Sequence, residues 1–152
     1  MSTTHLIEQQ LIDAIGLSNE SEVVLRYFTL FNQGRYEQVS RLFSSDGRLY
    51  PPFESPIVGP ENIESYLVKE ADGMTVSLLS AEIQLEEDEH LQIDVRGKVT
   101  ALVFKVNVTW RFIVTSDNKI ESVRVNLVAT LEELLKLRPE EDAQATVECS
   151  HA

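Results

Sequence analysis

The sequence predicts an α+β domain, with helices leading and a curved antiparallel sheet packed on them. Three observations carry this. Most of the chain up to Lys69 places its apolar residues at helical spacing, and from Gly73 onward they alternate with polar ones at period two. A last helical stretch, TLEELLKLR, follows the strands. Elements segregated in this way pack as helices against one face of a sheet, unlike the alternating units of a parallel sheet.

Residues 1–19 read as a weakly helical arm, with Leu6, Ile7, Leu11, Ile12 and Ile15 on one stripe, ended by Gly16 and Ser18-Asn19. The domain proper spans 20–138. Its first helix carries Val23, Val24, Tyr27, Phe28, Leu30 and Phe31 and stops at Asn32-Gln33-Gly34, and RYEQVSRLF forms a short second one. The run SSDG (44–47) predicts a turn, and Arg48–Tyr50 begins a strand that enters the proline-braced corner YPPFESPIVG. Gly59-Pro60 opens a helix through Lys69, because proline at the first helical position lacks only a donor that would be unpaired there anyway.

Beyond Gly73, one strand alternates Leu79, Ala81, Ile83 and Leu85, and the next Leu91, Ile93, Val95, Val99 and Ala101. Apolar parity switches from odd to even between Val103 and Phe104, and a one-residue slip would turn every side chain to the wrong face. A bulge or tight turn therefore belongs there. Phe104, Val106, Val108, Trp110 and Phe112 continue the apolar face, SDNK (116–119) makes a hairpin, and Val123, Val125 and Leu127 form the last strand. Residues 139–152 read as a disordered tail.

At 152 residues, with 43% hydrophobic and 25% charged residues, the chain has the composition of one soluble domain with a sizeable core. Thirteen basic against twenty-five acidic residues give −12, which argues against an extended nucleic-acid footprint. No apolar run approaches a membrane span, and the start MSTTHLIEQQLIDAIG carries acids and no basic cluster before an apolar core, so a cytoplasmic protein is expected. One cysteine, Cys149 in the tail, excludes an intrachain disulfide and reads as an inert thiol. His5, His90 and His151 have no partner at ligand spacing, and EEDE (86–89) lacks the oxygen spacing of a calcium loop, so no metal site is expected.

A strongly curved sheet over helices leaves a cone-shaped cavity, and this arrangement resembles the nuclear transport factor 2-like superfamily. That superfamily includes ketosteroid-isomerase-like enzymes, which carry an acid just before a proline in the segment matching Asp46–Pro52. Here the base position is Pro51, which cannot take a proton, and Asp46 is the kind of residue that bonds local backbone. Two other features stand out. Arg96, Lys98, Lys105, Arg111 and Arg124 fall on the polar sheet face with Thr100, Asn107, Thr109 and Asn126, as either a solvated face or an isologous homodimer interface. Tyr27 sits on the apolar stripe of its helix, as a core tyrosine or as a hydroxyl offered to a ligand.

The strings VLRYFTLFNQGRYEQVSRLF, YPPFESPIVGPENI, GKV, NVTWRF and NKIESVRVNLVATLEELLKLR together resemble the C-terminal domain of the orange carotenoid protein. They resemble still more its stand-alone cyanobacterial homologues, from about Glu22 to Arg138. The resemblance implies a non-enzymatic ketocarotenoid carrier, holding a pigment such as canthaxanthin or echinenone. It also implies homodimers that enclose one carotenoid between two half-tunnels, take it up through transient membrane contact and pass it to helical carotenoid proteins in photoprotection. The alternative is a ketosteroid-isomerase-like enzyme or a generic binder of small hydrophobic ligands, and a third reading, a purely dimeric interaction module, applies if side chains fill the cone. In the family a helix tyrosine and a sheet tryptophan hold the carotenoid keto oxygen. Tyr27 matches the tyrosine, Phe31, Val58 and Val76 match tunnel positions, and Trp110 is placed with them. The tryptophan aligns with Val103 and a neighbouring reactive cysteine of some homologues with Phe104. On this reading Val58 points into the tunnel from a rigid apolar wall, and the helix Leu131–Arg138 acts as a movable cover.

Overall fold

The computed structural model describes residues 22–85, 90–102 and 104–128. The expectations placed on the arm, on the acidic run 86–89, on Val103, on the helix Leu131–Arg138 and on the tail with Cys149 lie outside these residues.

Helix α1 (Glu22–Asn32) buries all six apolar residues predicted for its inner stripe. Gly34 ends it with φ at +74°, a left-handed conformation that glycine reaches without a Cβ clash. Its N–H donates to the Phe31 carbonyl and that of Arg35 to Leu30, which satisfies the last turn. Helix α2 (Tyr36–Ser40) follows, and its Tyr36 hydroxyl donates to the Ala71 carbonyl at 2.9 Å, tying it to the end of α3 (Pro60–Glu70).

The six strands are β1 (Phe43–Tyr50), β2 (Ile57–Val58), β3 (Thr75–Leu85), β4 (Leu91–Thr100), β5 (Lys105–Val114) and β6 (Ile120–Val128). They form one sheet in the order β2-β1-β6-β5-β4-β3. The meander β3 to β6 is antiparallel as predicted, but β1 lies parallel to β6, so the sheet is mixed. That pairing joins residues more than seventy positions apart, and no local pattern announces it.

Two local expectations change. SSDG is not a free turn: it lies within β1, where the register jumps from Phe43 opposite Ile120 to Arg48 opposite Ser122, and the turn-prone residues fill that irregularity. Leu79, expected on the inner face, is 65% exposed, because the β3–β4 register slips between Leu78 and Ser80. Val76 and Leu78 are buried before the bulge, and Ala81 and Ile83 pack on the core after it. The parity switch in the next hairpin is a tight turn, with the Ala101 N–H donating to the Phe104 carbonyl at 2.9 Å.

The core lies between the helices and the inner sheet face, with Phe28, Ile63, Ile93, Val95, Phe112, Ile120 and Val123 fully buried. Asn32 fastens the outermost strand β3 to α1: the Val76 N–H donates to its Oδ1 at 2.7 Å and its Nδ2 donates to the Val76 carbonyl at 3.0 Å. The amide thus pairs backbone groups at a sheet edge, where an unpaired row invites other chains. Asn32→Leu leaves both groups without this partner and should lower stability by about 1–3 kcal/mol. A lower urea midpoint with an unchanged slope is the expected reading, and an unchanged midpoint would show that water replaces the amide at no cost.

Candidate functional site

The site is an aromatic box on the inner face, centred on Tyr27. Its ring meets Phe28 at 5.1 Å and Phe112 at 5.1 Å, both edge-on, stacks on Phe31 at 6.2 Å and touches Phe43 at 6.4 Å. Trp110 joins through Phe28, edge-on at 5.0 Å. Helix α1 supplies three of these rings because positions 27, 28 and 31 share one face, and β5 supplies Trp110 and Phe112 because alternate strand residues point the same way. Edge-on packing is a favoured geometry for aromatic pairs, so these rings stabilise one another beyond their burial.

Tyr27 is 2% exposed, and burial first, then Tyr66, push its phenol well above the ordinary tyrosine range. It stays neutral and keeps its proton to donate. Tyr66 on α3 stands near the proline corner and donates its own hydroxyl to Glu54 Oε2 at 3.2 Å. Burial, followed by the Glu54 carboxylate, pushes Tyr66 up to about 12. The corner itself has Pro51 buried and Phe53 in a left-handed conformation, φ +62°, with its ring 78% exposed. A buried Pro51 makes this end of the corner apolar.

The structure brings Tyr27, Phe31, Trp110 and Val76 to the inner face, all buried. It does not do so for Val58. In the β1–β2 pair Val58 stands opposite Arg48 and Ile57 opposite the buried Leu49, and cross-strand partners share a side of the sheet. Val58 is 43% exposed on the outer side, whereas Ile57 packs on the core. The inward residue of the PIVG string is therefore Ile57, a shift of one position that reverses the side chain. Phe104 is 48% exposed at the foot of the β4–β5 hairpin, away from the box. The apolar face does run out towards that end, since Leu127 pairs with buried Val108 and is still 46% exposed.

Sequence reasoning missed Phe28, Phe43 and Phe112 as walls of the box, Asn32 as the clasp on β3 and Tyr66 as the partner of Glu54. Phe28 and Phe112 were legible as core from their spacing. Their meeting at Tyr27 was not.

The outer face gathers the cations predicted for it. Arg96 lies opposite Thr109, Lys98 opposite Asn107, Lys105 opposite Thr100 and Arg111 opposite Arg124. Two are engaged: Arg111 pairs with Asp94 at 2.9 Å, and Arg124 lies 4.1 Å over the Tyr50 ring. His90 pairs with Glu121 at 2.8 Å. Among the described residues no helix is long and apolar enough to cross a membrane.

The nuclear transport factor 2 (NTF2) domain model matches residues 20–122. The chain is 34% identical over 126 residues to the orange carotenoid-binding protein of Limnospira maxima and 35% identical over 124 residues to that of Synechocystis sp.. Those matches cover 80% and 79% of this chain but only 39% and 38% of the relatives, so it spans about two-fifths of their length. The orange carotenoid protein of Anabaena (Nostoc) sp. PCC 7120 binding canthaxanthin superposes with a TM-score of 0.70 at 30% identity, over 80% of this chain and 40% of that one. An epoxide hydrolase/cyclase-like enzyme, SalBIII, superposes at 0.57 with 19% identity over 72% of this chain and 90% of its own, a likeness of fold alone. Helices on one face of a six-stranded mixed sheet, and a family match over most of the described residues, agree: the chain belongs to the nuclear transport factor 2 domain family.

Proposed function

We propose that this chain is a non-enzymatic, cytoplasmic ketocarotenoid carrier that works as a homodimer and passes its pigment to a helical carotenoid protein in photoprotection. The observation that carries the reading is Tyr27, a buried tyrosine with four aromatic neighbours, within the segment similar to the orange carotenoid-binding proteins. Aromatic and aliphatic walls suit a polyene ring, and one neutral phenol suits the keto oxygen at its end. The absence of a carboxylate at Pro51 speaks against proton abstraction there.

By the resemblance to the C-terminal domain of the orange carotenoid protein, Val103 replaces a tryptophan donor, and on this reading Tyr27 acts without a second hydrogen bond. A neutral hydrogen bond contributes on the order of 1 kcal/mol. At about 25 cal/mol per Å², a few hundred Å² of polyene contact outweighs its loss several-fold. The polar outer face, with its Thr, Asn and paired Arg rows, suits a weak isologous contact that a shared ligand strengthens by mass action.

Production in a ketocarotenoid-synthesising host tests this directly. The parent should be pigmented, and scattering should give the pigmented form the mass of a dimer. Tyr27→Phe keeps the ring, and should weaken binding about five-fold and move the absorption band, since the hydrogen bond polarises the conjugated keto group. A colourless parent, or a Phe variant with the same affinity and spectrum, would sink the proposal.

A further inference from the structure

The hairpin joining β4 and β5 ends in an apolar tip on a basic stem. Its last cross-strand pair is Thr100 with Lys105, and the turn beyond reads Ala-Leu-Val-Phe. Leu102 is 97% exposed, and Phe104 is half exposed beside it. A leucine held at a turn with almost its whole side chain in water contributes nothing to the core, and its burial elsewhere is favourable.

The charge around it is the second observation. Residues 95–116 contain Arg96, Lys98, Lys105 and Arg111 and not one acid, in a chain of net charge −12. Lys105 begins the strand immediately after the turn, and Lys98 stands two residues before the last pair, both exposed on the outer face. Neither has an ion-pair partner among the described residues. At a rise of about 3.3 Å per residue, both ammonium groups stand within the depth of a lipid headgroup layer when the tip reaches the acyl boundary.

We propose that this hairpin docks the protein on an anionic bilayer, with Leu102 and Phe104 entering the interface and Lys98 and Lys105 meeting lipid phosphates. A four-residue tip offers far less than the roughly 800 Å² per partner of a stable protein contact. A fluid bilayer, by contrast, closes around a small apolar point and needs no matching groove. The acidic remainder of the molecule is repelled by the same surface, so the field orients the hairpin towards the membrane. The purpose of such docking, loading or unloading a lipid-soluble pigment, rests on the proposed carrier function, but the docking itself does not.

Flotation of the full, pigment-free chain with vesicles separates the two. Vesicles of phosphatidylcholine with phosphatidylglycerol in equal parts should carry the protein up, less so as salt rises, and pure phosphatidylcholine should carry far less. Leu102→Asp should weaken flotation about ten-fold or more, and Lys98→Gln with Lys105→Gln should erase the preference for anionic lipid. All three positions are exposed, so circular dichroism and thermal midpoint should match the parent. No flotation of the parent, or undiminished flotation of Leu102→Asp, overturns the proposal. A fall in solution mass for Leu102→Asp without vesicle binding by the parent would instead make the tip a contact between copies. Pigment binding, measured separately on Leu102→Asp, reports on the carrier function alone.

Discussion

Phe28→Ala is expected to cost about 3–5 kcal/mol of stability, a large part of what a domain of this size possesses. Phe28 is fully buried and touches the rings of Tyr27, Trp110 and Phe112 at 5.1, 5.0 and 5.6 Å. Truncation removes the wedge between helix α1 and strand β5 and leaves a void that neither element can fill, since both are fixed along their length by backbone hydrogen bonds. Phe28→Leu restores most of the volume and should cost roughly 1–2 kcal/mol. Urea denaturation of the three proteins gives the ordering, and a loss under about 1 kcal/mol for the alanine variant would mean that the box collapses around the gap. The same variant tests the site, because Tyr27 loses one of its four ring neighbours.

Gly97→Ala should destabilise by about 2–3 kcal/mol, although it adds a single methyl group. Gly97 is buried in β4, and a Cβ there would lie 2.5 Å from the Ser77 carbonyl oxygen, 3.2 Å from Leu78 Cα and 3.3 Å from Trp110 Cζ3. Two of these are backbone atoms of the neighbouring strand, which a rotamer change cannot move. The clash therefore pushes β3 away just where its register already slips, between Leu78 and Ser80. A drop in thermal midpoint, with faster amide exchange along β3 than along β6, is the expected signature. Equal exchange in both strands would place the strain on the Trp110 ring instead.

Much of this protein was legible in the sequence by itself. Helical spacing placed Tyr27 on the buried stripe of its helix, and Gly34 and Pro60 marked where helices end and begin. The parity switch at Val103-Phe104 located a tight hairpin, and alternation put Val108, Trp110 and Phe112 inside and five cations outside. These features succeed because each depends only on the repeat of a single element, 3.6 for a helix and two for a strand.

What failed depends on a second element. Whether Val58 or Ile57 turns inward is decided by pairing with Arg48 and Leu49, and whether Leu79 is inside is decided by a bulge against Arg96 and Gly97. The parallel contact of β1 with β6, and with it the mixed sheet, joins Phe43 to Ile120 across the length of the chain. The aromatic box has the same origin, since Tyr27, Phe43 and Phe112 come from three elements and meet only when the sheet closes on α1. A periodic pattern states which face of an element is apolar; the residues that face it are fixed by packing between distant segments, and that is a property of the folded structure.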